Sequence, residues 1–470
     1  MELVTAPVGV GLTRVTVSTP HRRVDVALPD HILVADLLPH LLRHAGVEIA
    51  DEGESHGGWT LRRTSGGELD ADSDLASQSV RDGELLHLAP RRLNWAEPAY
   101  DDVVDVIATS ARRAGRSWSG VATRRYGLAV VGIFLVLGAA LLVWAGSPWL
   151  VPGVVGLGAA LLLVLSGILL ARLGGDAEAG AVLGGYALLY AALGAALVSA
   201  PEDQPAGRLD SAQVVAGSAA LILTSVLAMA GVVALARIFA AGLGTGIAGL
   251  LGGLLCLSGT SPASAAAVVL TLAIGLLPAY PLLATTLGKI PTPVLPQRPE
   301  EILEDAPLPD RASVFAAVAR ASEILAGCLL AAATTSVIAA LMLLTDGGLG
   351  GIVLALVGAG VLVLRGRLFP TAAQRLPLLI GGVAIIAVAG YGWMRHTPPG
   401  SGRVLLLAVV LALAATVLGG TLRYSTRSPS PYLGRTADVL DTLTIMAMIP
   451  LACWVLGVYQ TVQGLFSSVG

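Results

Sequence analysis

Few residues in this 470-residue chain have the types and spacing that chemistry requires. His40 and His44 lie four apart, the spacing that places two metal ligands on one helix face. A third ligand is missing near them, so a solvated surface pair is expected. Cys256, Cys328 and Cys453 are scattered through apolar stretches and form neither a CxxC site nor a disulfide framework. The chain contains no phosphate-binding Gly-x4-Gly-Lys-Ser/Thr loop, no His-Glu-x2-His and no Gly-x-Ser-x-Gly. Glu178, Glu323, Asp438 and Asp441 fall near the ends of apolar segments rather than at their centres. A charge at mid-membrane costs about 2.5–3.5 kcal/mol and is usually kept only for function. Its absence argues against proton- or ion-coupled transport, and Glu323 and Asp441 read as inner-interface anchors or partner contacts. Thr334, Thr335 and Ser336 form the one polar cluster within a span, suited to hydrogen bonding between helices. No catalytic, cofactor-binding or metal site is expected, and no nucleic-acid partner.

Two other features concern shape rather than reaction. Gly242, Gly246, Gly249 and Gly253 recur at i, i+4, i+7 and i+11, one helix face on which another backbone can approach closely. That neighbour is either a helix of the same bundle or a second copy or other subunit. Pro278 and Pro281, in Pro-Ala-Tyr-Pro, predict a kink in the sixth apolar segment.

These residues sit in a chain of two unlike parts. Apolar residues make up 55% of it and charged residues 13%, against roughly 25% charge in soluble domains, so the class is integral membrane. A hydrocarbon core ~30 Å thick needs ~20 apolar residues at 1.5 Å rise. Segments of that length recur about eleven times. They cover 127–146, 149–172, 177–200, 211–236, 238–259, 262–287, 320–344, 348–364, 376–394, 402–421 and 437–463. Trp144, Trp149, Tyr391, Trp393, Trp454 and Tyr459 lie near segment ends, as interfacial anchors do. With the N-terminus inside, the inner loops collect Arg124, Arg125, Arg172, Arg237, Lys289, Arg365, Arg367, Arg375, Arg423 and others, and the outer loops only Arg208, Arg395 and Arg403. This bias predicts a cytoplasmic N-terminus and an external C-terminus. No secretory signal is evident at the start of the chain.

Ahead of the membrane part, residues 1–92 read as a folded head. Strands are expected at 12–18 and 22–28, from alternation of Val15, Val17, Val24 and Val26, then at Trp59–Arg63 and Glu84–Leu88. A helix between the second and third carries Val34, Leu37, Leu38, Leu41 and Leu42 on one face. Pro39 is tolerable there if the helix starts near Ala35 or Asp36. The order β-β-α-β-β is that of a β-grasp, a small α+β fold, followed by an all-α polytopic bundle. Residues 93–126 form a linker in which Asp101–Gly115 predicts an amphipathic helix. Tyr100, Val103, Val104 and Ile107 share its apolar face, and Arg112 and Arg113 close its C-terminal end, where they complement the helix dipole. This face needs something to cover it and is a candidate docking surface. Residues 288–319 form the longest inner loop, Pro-rich and then acidic, before a short amphipathic helix at Ser313–Ala321.

The stretch Val34-Ala-Asp-Leu-Leu-Pro-His-Leu-Leu42, with Gly58-Trp59-Thr-Leu, Gly67-Glu-Leu-Asp70 and Asp82-Gly83-Glu-Leu-Leu-His-Leu88, resembles the EccD family of type VII (ESX) secretion. That resemblance implies a ubiquitin-like cytoplasmic domain and eleven transmembrane helices. It also implies a non-catalytic subunit in a bacterial inner membrane, assembled with EccB, EccE and EccC, an FtsK-like ATPase that supplies the energy. Family members are thought to pair as homodimers around a wide, lipid-filled vestibule. The head and linker would then dock cytoplasmic parts of partners, the ATPase among them. The head lacks the free Gly-Gly terminus that conjugation needs: Pro90-Arg91-Arg92 runs on into the linker. A reading from another class, a small-molecule permease with an appended regulatory domain, predicts internal repeats with interrupted helices at matching positions. No convincing repeat is visible. An intramembrane enzyme would need a polar cluster at membrane depth, which is also missing.

Overall fold

The computed structural model describes residues 11–19, 23–45, 58–64, 67–90, 119–202, 204–205, 210–232, 234–291, 310–398, 400–426 and 430–469. The chain divides into two compact units, Met1–Ser117 and Trp118–Gly470.

In the first unit, alternating β-branched residues put one face of each strand into a core. Strands β1 (Leu12–Ser18), β2 (Arg23–Pro29), β3 (Trp59–Arg63) and β4 (Glu84–Pro90) form one sheet in the order β2-β1-β4-β3. The hairpin β1–β2 is antiparallel, with Val15 opposite Val26. β1 and β4 pair in parallel, Val17 against Leu86, and β3 runs antiparallel to β4. This is the expected β-grasp. Helix α1 (Val34–Ala45) lays Val34, Leu37 and Leu41 on Val15, Val17, Leu61, Leu75 and Leu86, all buried. Its first turn is fastened to a later loop: Val34 and Ala35 donate amides to the carbonyls of Ser73 and Ala71 at 3.1 and 2.9 Å. The helix starts at Val34, one residue before the earliest start expected, so Pro39 is its sixth residue and lies past the first turn. The i−4 carbonyl that it leaves unpaired belongs to Ala35, on the exposed face where water can serve it.

Among the described residues the second unit is built of helices and their connections, without strands. In chain order it contains α2 (Gly120–Trp144), α3 (Leu150–Arg172), α4 (Ala177–Val198), α5 (Ser211–Gly231), α6 (Ala236–Leu257), α7 (Pro262–Gly275) and α8 (Tyr280–Leu287). Then follow α9 (Arg311–Asp346), α10 (Gly348–Gly366), α11 (Ala372–His396), α12 (Ser401–Thr426), α13 (Pro431–Val455) and α14 (Val458–Val469). Short polar residues start several of these helices where the sequence turns apolar. Ser119 accepts from the Ala122 amide, Asp310 accepts from Ser313, and Asp210 with Gln213 forms a capping box. Among the described residues ten helices are long and apolar enough to cross a membrane, or eleven if α7 and α8 make one bent span, in agreement with the periodicity of the sequence.

Three elements differ from expectation. α2 begins at Gly120 rather than at residue 127. α9 is a single helix of 36 residues, so the expected short helix at Ser313–Ala321 is continuous with its span. At 1.5 Å rise it measures about 54 Å, well beyond a ~30 Å hydrocarbon core. The last apolar segment does not run unbroken from 437 to 463. α13 stops at Val455, Gly457 takes a left-handed φ of +72°, and α14 starts afresh.

The main core of the unit joins α7, α9, α10, α11 and α13 around Leu270, Ile274, Leu343, Leu354 and Leu362, all fully buried. Smaller clusters hold α2 to α6 together around Phe239 and Tyr190. α12 is the exception. None of its 26 residues is buried.

Candidate functional site

Several charged residues near span ends pair with residues on other helices, all at one end of the bundle. Arg124 on α2 donates to Asp176 and to Glu178 at the start of α4, each at 2.9 Å. This guanidinium, with the Ala179 amide, holds the Asp176 carboxyl below its ordinary value. Arg237 on α6 faces Glu323 on α9 at 3.6 Å. Arg365 and Arg367 at the end of α10 pair with Asp441 and Asp438 on α13. Arg172 caps the end of α5, donating to the carbonyls of Ala230 and Gly231 at 3.0 Å. Among the described residues the opposite end has no ion pair. It is joined by neutral hydrogen bonds, such as Trp149 Nε1 to the Gln204 carbonyl at 3.0 Å. The four acidic residues near span ends, Glu178, Glu323, Asp438 and Asp441, therefore cross-link helices.

The glycine stripe of α6 faces α5 of the same chain. A Cβ on Gly246 would lie 3.1 Å from the Ser218 carbonyl oxygen, and one on Gly253 would lie 3.2 Å from the Val215 amide nitrogen. Gly249 abuts the Ser218 side chain, and Gly242 meets Ser225 and, on α4, Leu188. Of the two neighbours that the stripe allowed, the bundle supplies the internal one, and α5 fills the space a second copy would need. An equally close seam lies between α3 and α4, where a Cβ on Gly167 would stand 2.8 Å from the Gly180 carbonyl oxygen. The sequence signal for it is the helical spacing of Gly153, Gly156 and Gly167 on α3 and of Gly180, Gly184 and Gly194 on α4, which share the buried faces.

Pro278 lies in the break between α7 and α8, and Pro281 begins α8. The two helices meet at 65°. The bend is fastened by the Tyr280 hydroxyl, which donates to the Ala273 carbonyl at 3.1 Å. Within the span region Thr334 reaches across to Thr245 on α6, with the two hydroxyl oxygens 2.8 Å apart. Thr335 and Ser336 are buried.

No group of His, Cys, Asp and Glu among the described residues is arranged to hold a metal. His40 and His44 stand on α1, and the Nδ1 of His40 is 2.7 Å from the Arg43 guanidinium, a poor neighbour for a cation. Cys256, Cys328 and Cys453 are separate thiols. The linker residues Tyr100, Val103, Val104, Ile107, Arg112 and Arg113 lie outside the described residues, as does most of the Pro-rich and acidic loop.

A head with this sheet order joined to a bundle of this span count has known counterparts. The model of the EccD-like transmembrane domain matches residues 123–465, and that of the WXG100 protein secretion system (Wss) protein YukD matches residues 12–88. The chain belongs to the EccD family.

Its relatives match over nearly their whole length. The ESX-4 secretion system protein eccD4 of Mycobacterium tuberculosis (strain ATCC 25618 / H37Rv) is 28% identical, over 97% of this chain and 98% of that protein. The ESX-5 secretion system protein EccD5 of Mycobacterium marinum is 24% identical, over 90% and 88%. Among solved structures, protomer 1 of the ESX-3 core complex superposes with a TM-score of 0.58 at 19% identity, covering 96% of this chain and all of that one. A chain of the MycP5-free ESX-5 inner membrane complex, State II, superposes with a TM-score of 0.56 at 20% identity, over 87% and 99%. Both share the fold of this EccD-family chain, which is a multi-pass membrane protein.

Proposed function

We infer that this chain is a structural membrane subunit of a type VII (ESX) secretion system and performs no catalysis of its own. The observation that carries the reading is the distribution of polar groups within the EccD-family fold. Every ion pair of the described bundle sits at one end and serves to join helices. Among the described residues the span interiors contain hydroxyl contacts such as Thr245–Thr334, and no cluster of ionisable groups. A platform needs helices fastened to one another; a pump or hydrolase needs reactive groups at depth.

In this reading the chain lies in the bacterial inner membrane, with the arginine-rich end and the head in the cytoplasm, as the asymmetry of basic residues favours. Its partners are other Ecc subunits: EccB, EccE and EccC, the FtsK-like ATPase that provides the work. The head and the linker face of Tyr100, Val103, Val104 and Ile107, with Arg112 and Arg113 beside it, dock the ATPase. A second copy completes a homodimer around a lipid-filled vestibule. Because α5 fills the glycine stripe, the second copy needs another surface. α12, in which no residue is buried, offers one. The α7–α8 bend is the one feature that favours a permease instead, since transporters bind substrate at broken helices.

Affinity purification of the tagged chain from native membranes in mild detergent tests this. Recovery of an FtsK-like ATPase and further membrane subunits in fixed proportion supports the platform. Recovery of this chain alone, as monomer or homodimer, overturns it in favour of the permease.

A further inference from the structure

The elbow between α13 and α14, at the end of the bundle opposite the ion pairs, flanks an open groove of about 420 Å³. Leu451, Trp454, Gly457, Tyr459, Gln460 and Gln463 line it. Two aromatic rings form its walls, and both are fixed in place while remaining about half exposed. Trp454 is 45% exposed, and its indole lies against Gly350 of α10, where a Cβ would come within 3.3 Å of the ring. Tyr459 is 47% exposed, and its hydroxyl turns back to donate to the Pro450 carbonyl at 3.3 Å. Both rings are thus ordered before any ligand arrives, which lowers the entropic cost of binding to them. Gln460 and Gln463 supply uncharged donors and acceptors at the rim. No titratable group other than the Tyr459 phenol lines the groove, and residues 458–470 contain no Asp, Glu, Lys, Arg or His.

We propose that this elbow binds the uncharged sugar head of a membrane glycolipid. A hydroxylated ring has apolar C–H faces for the indole and phenol and hydroxyl edges for the two amides. A phosphate or carboxylate head would find no cation. The groove opens where a span ends at Val455, so the head meets Trp454 and Tyr459 at the boundary that such side chains favour, and the acyl chains run down along Leu451. The inference rests on the membrane-spanning reading of α13 and not on membership of a secretion complex, so it stands or falls separately from that assignment.

The test uses the full chain in phosphatidylcholine nanodiscs doped with either galactosyl diacylglycerol or phosphatidylglycerol. Native mass spectrometry counts the lipids retained after release from the disc. The galactolipid is expected to be retained by the unaltered chain, and its occupancy to fall by about tenfold or more in Gln460→Leu/Gln463→Leu, which removes two hydrogen-bonding amides. Equal retention by the variant overturns the proposal, as does preference for phosphatidylglycerol. On the unaltered chain, a photoactivatable galactolipid is expected to label residues 450–463. Labelling confined to other helices also overturns it.

Discussion

Arg365, in the last turn of α10, lies 3.5 Å from Asp441 on α13, and the two side chains are only 15% and 14% exposed. With Arg367–Asp438 beside it, this pair ties α13 to the bundle, whereas α12, its predecessor in the chain, buries no residue. Removing one member leaves the other charge buried and alone. Asp441→Ala is expected to destabilise the bundle by about 3 kcal/mol, while Arg365→Leu/Asp441→Leu recovers most of that loss because no charge is left unpaired. Thermal unfolding in detergent of the two variants and the unaltered chain measures both. Equal losses in the single and the double variant would remove the pair from the account.

The α5–α6 seam makes a second prediction. Gly246→Leu drives a side chain against the Ser218 carbonyl and Ile222, so the helices must separate. Overpacking of this kind costs about 1–3 kcal/mol. Gly419→Leu on α12 meets nothing within 4 Å and is the matched control. A lowered unfolding temperature for the first and an unchanged one for the second is expected. Similar temperatures for both would mean that the seam does not hold the helices together.

In the head, hydrogen bonding from Ser77, through its side chain and then its backbone amide, keeps the Asp74 carboxyl below its ordinary value of 3.8. A carboxyl with a depressed folded value stabilises the fold fully above its unfolded value, and the contribution is lost as pH falls through the folded one. Protection of the Leu75–Val80 amides against hydrogen exchange, corrected for intrinsic rates, is therefore expected to fall as pH is lowered from about 5 to about 3. Asp74→Asn should begin lower and stay flat. A parallel decline in the variant would trace the effect to other carboxyls.

The linker provides a prediction about assembly. Changing Tyr100, Val103, Val104 and Ile107 together to Ser should abolish recovery of the cytoplasmic ATPase with the chain and leave membrane insertion intact. Unchanged recovery after pull-down from native membranes would end the docking role of this face.

Much of the architecture was legible because its signals are local. A strand that alternates Val15 and Val17 with polar residues declares which side faces the core, and about twenty apolar residues in a row declare a span. Ser261 before Pro262 and Asp310 before Ser313 mark helix starts by what the side chain can accept. The proline pair announced the α7–α8 bend by the same local logic. The Gly457 turn was less legible, since isolated glycines are common within spans and its left-handed conformation leaves no pattern.

The sequence by itself determined the classes of structure: a β-grasp head, a bundle of about eleven spans, charges gathered at one end and no reactive constellation at membrane depth. These follow from the price in free energy of putting charge or bare backbone in hydrocarbon, which each segment meets on its own account. Only the tertiary structure decided the pairings: Asp441 with Arg365, the glycine stripe with α5, Trp454 against Gly350. Periodicity specifies which face of a helix is narrow or charged. Which distant segment fills that face depends on the packing of all the helices at once, and no stretch of sequence contains that information locally.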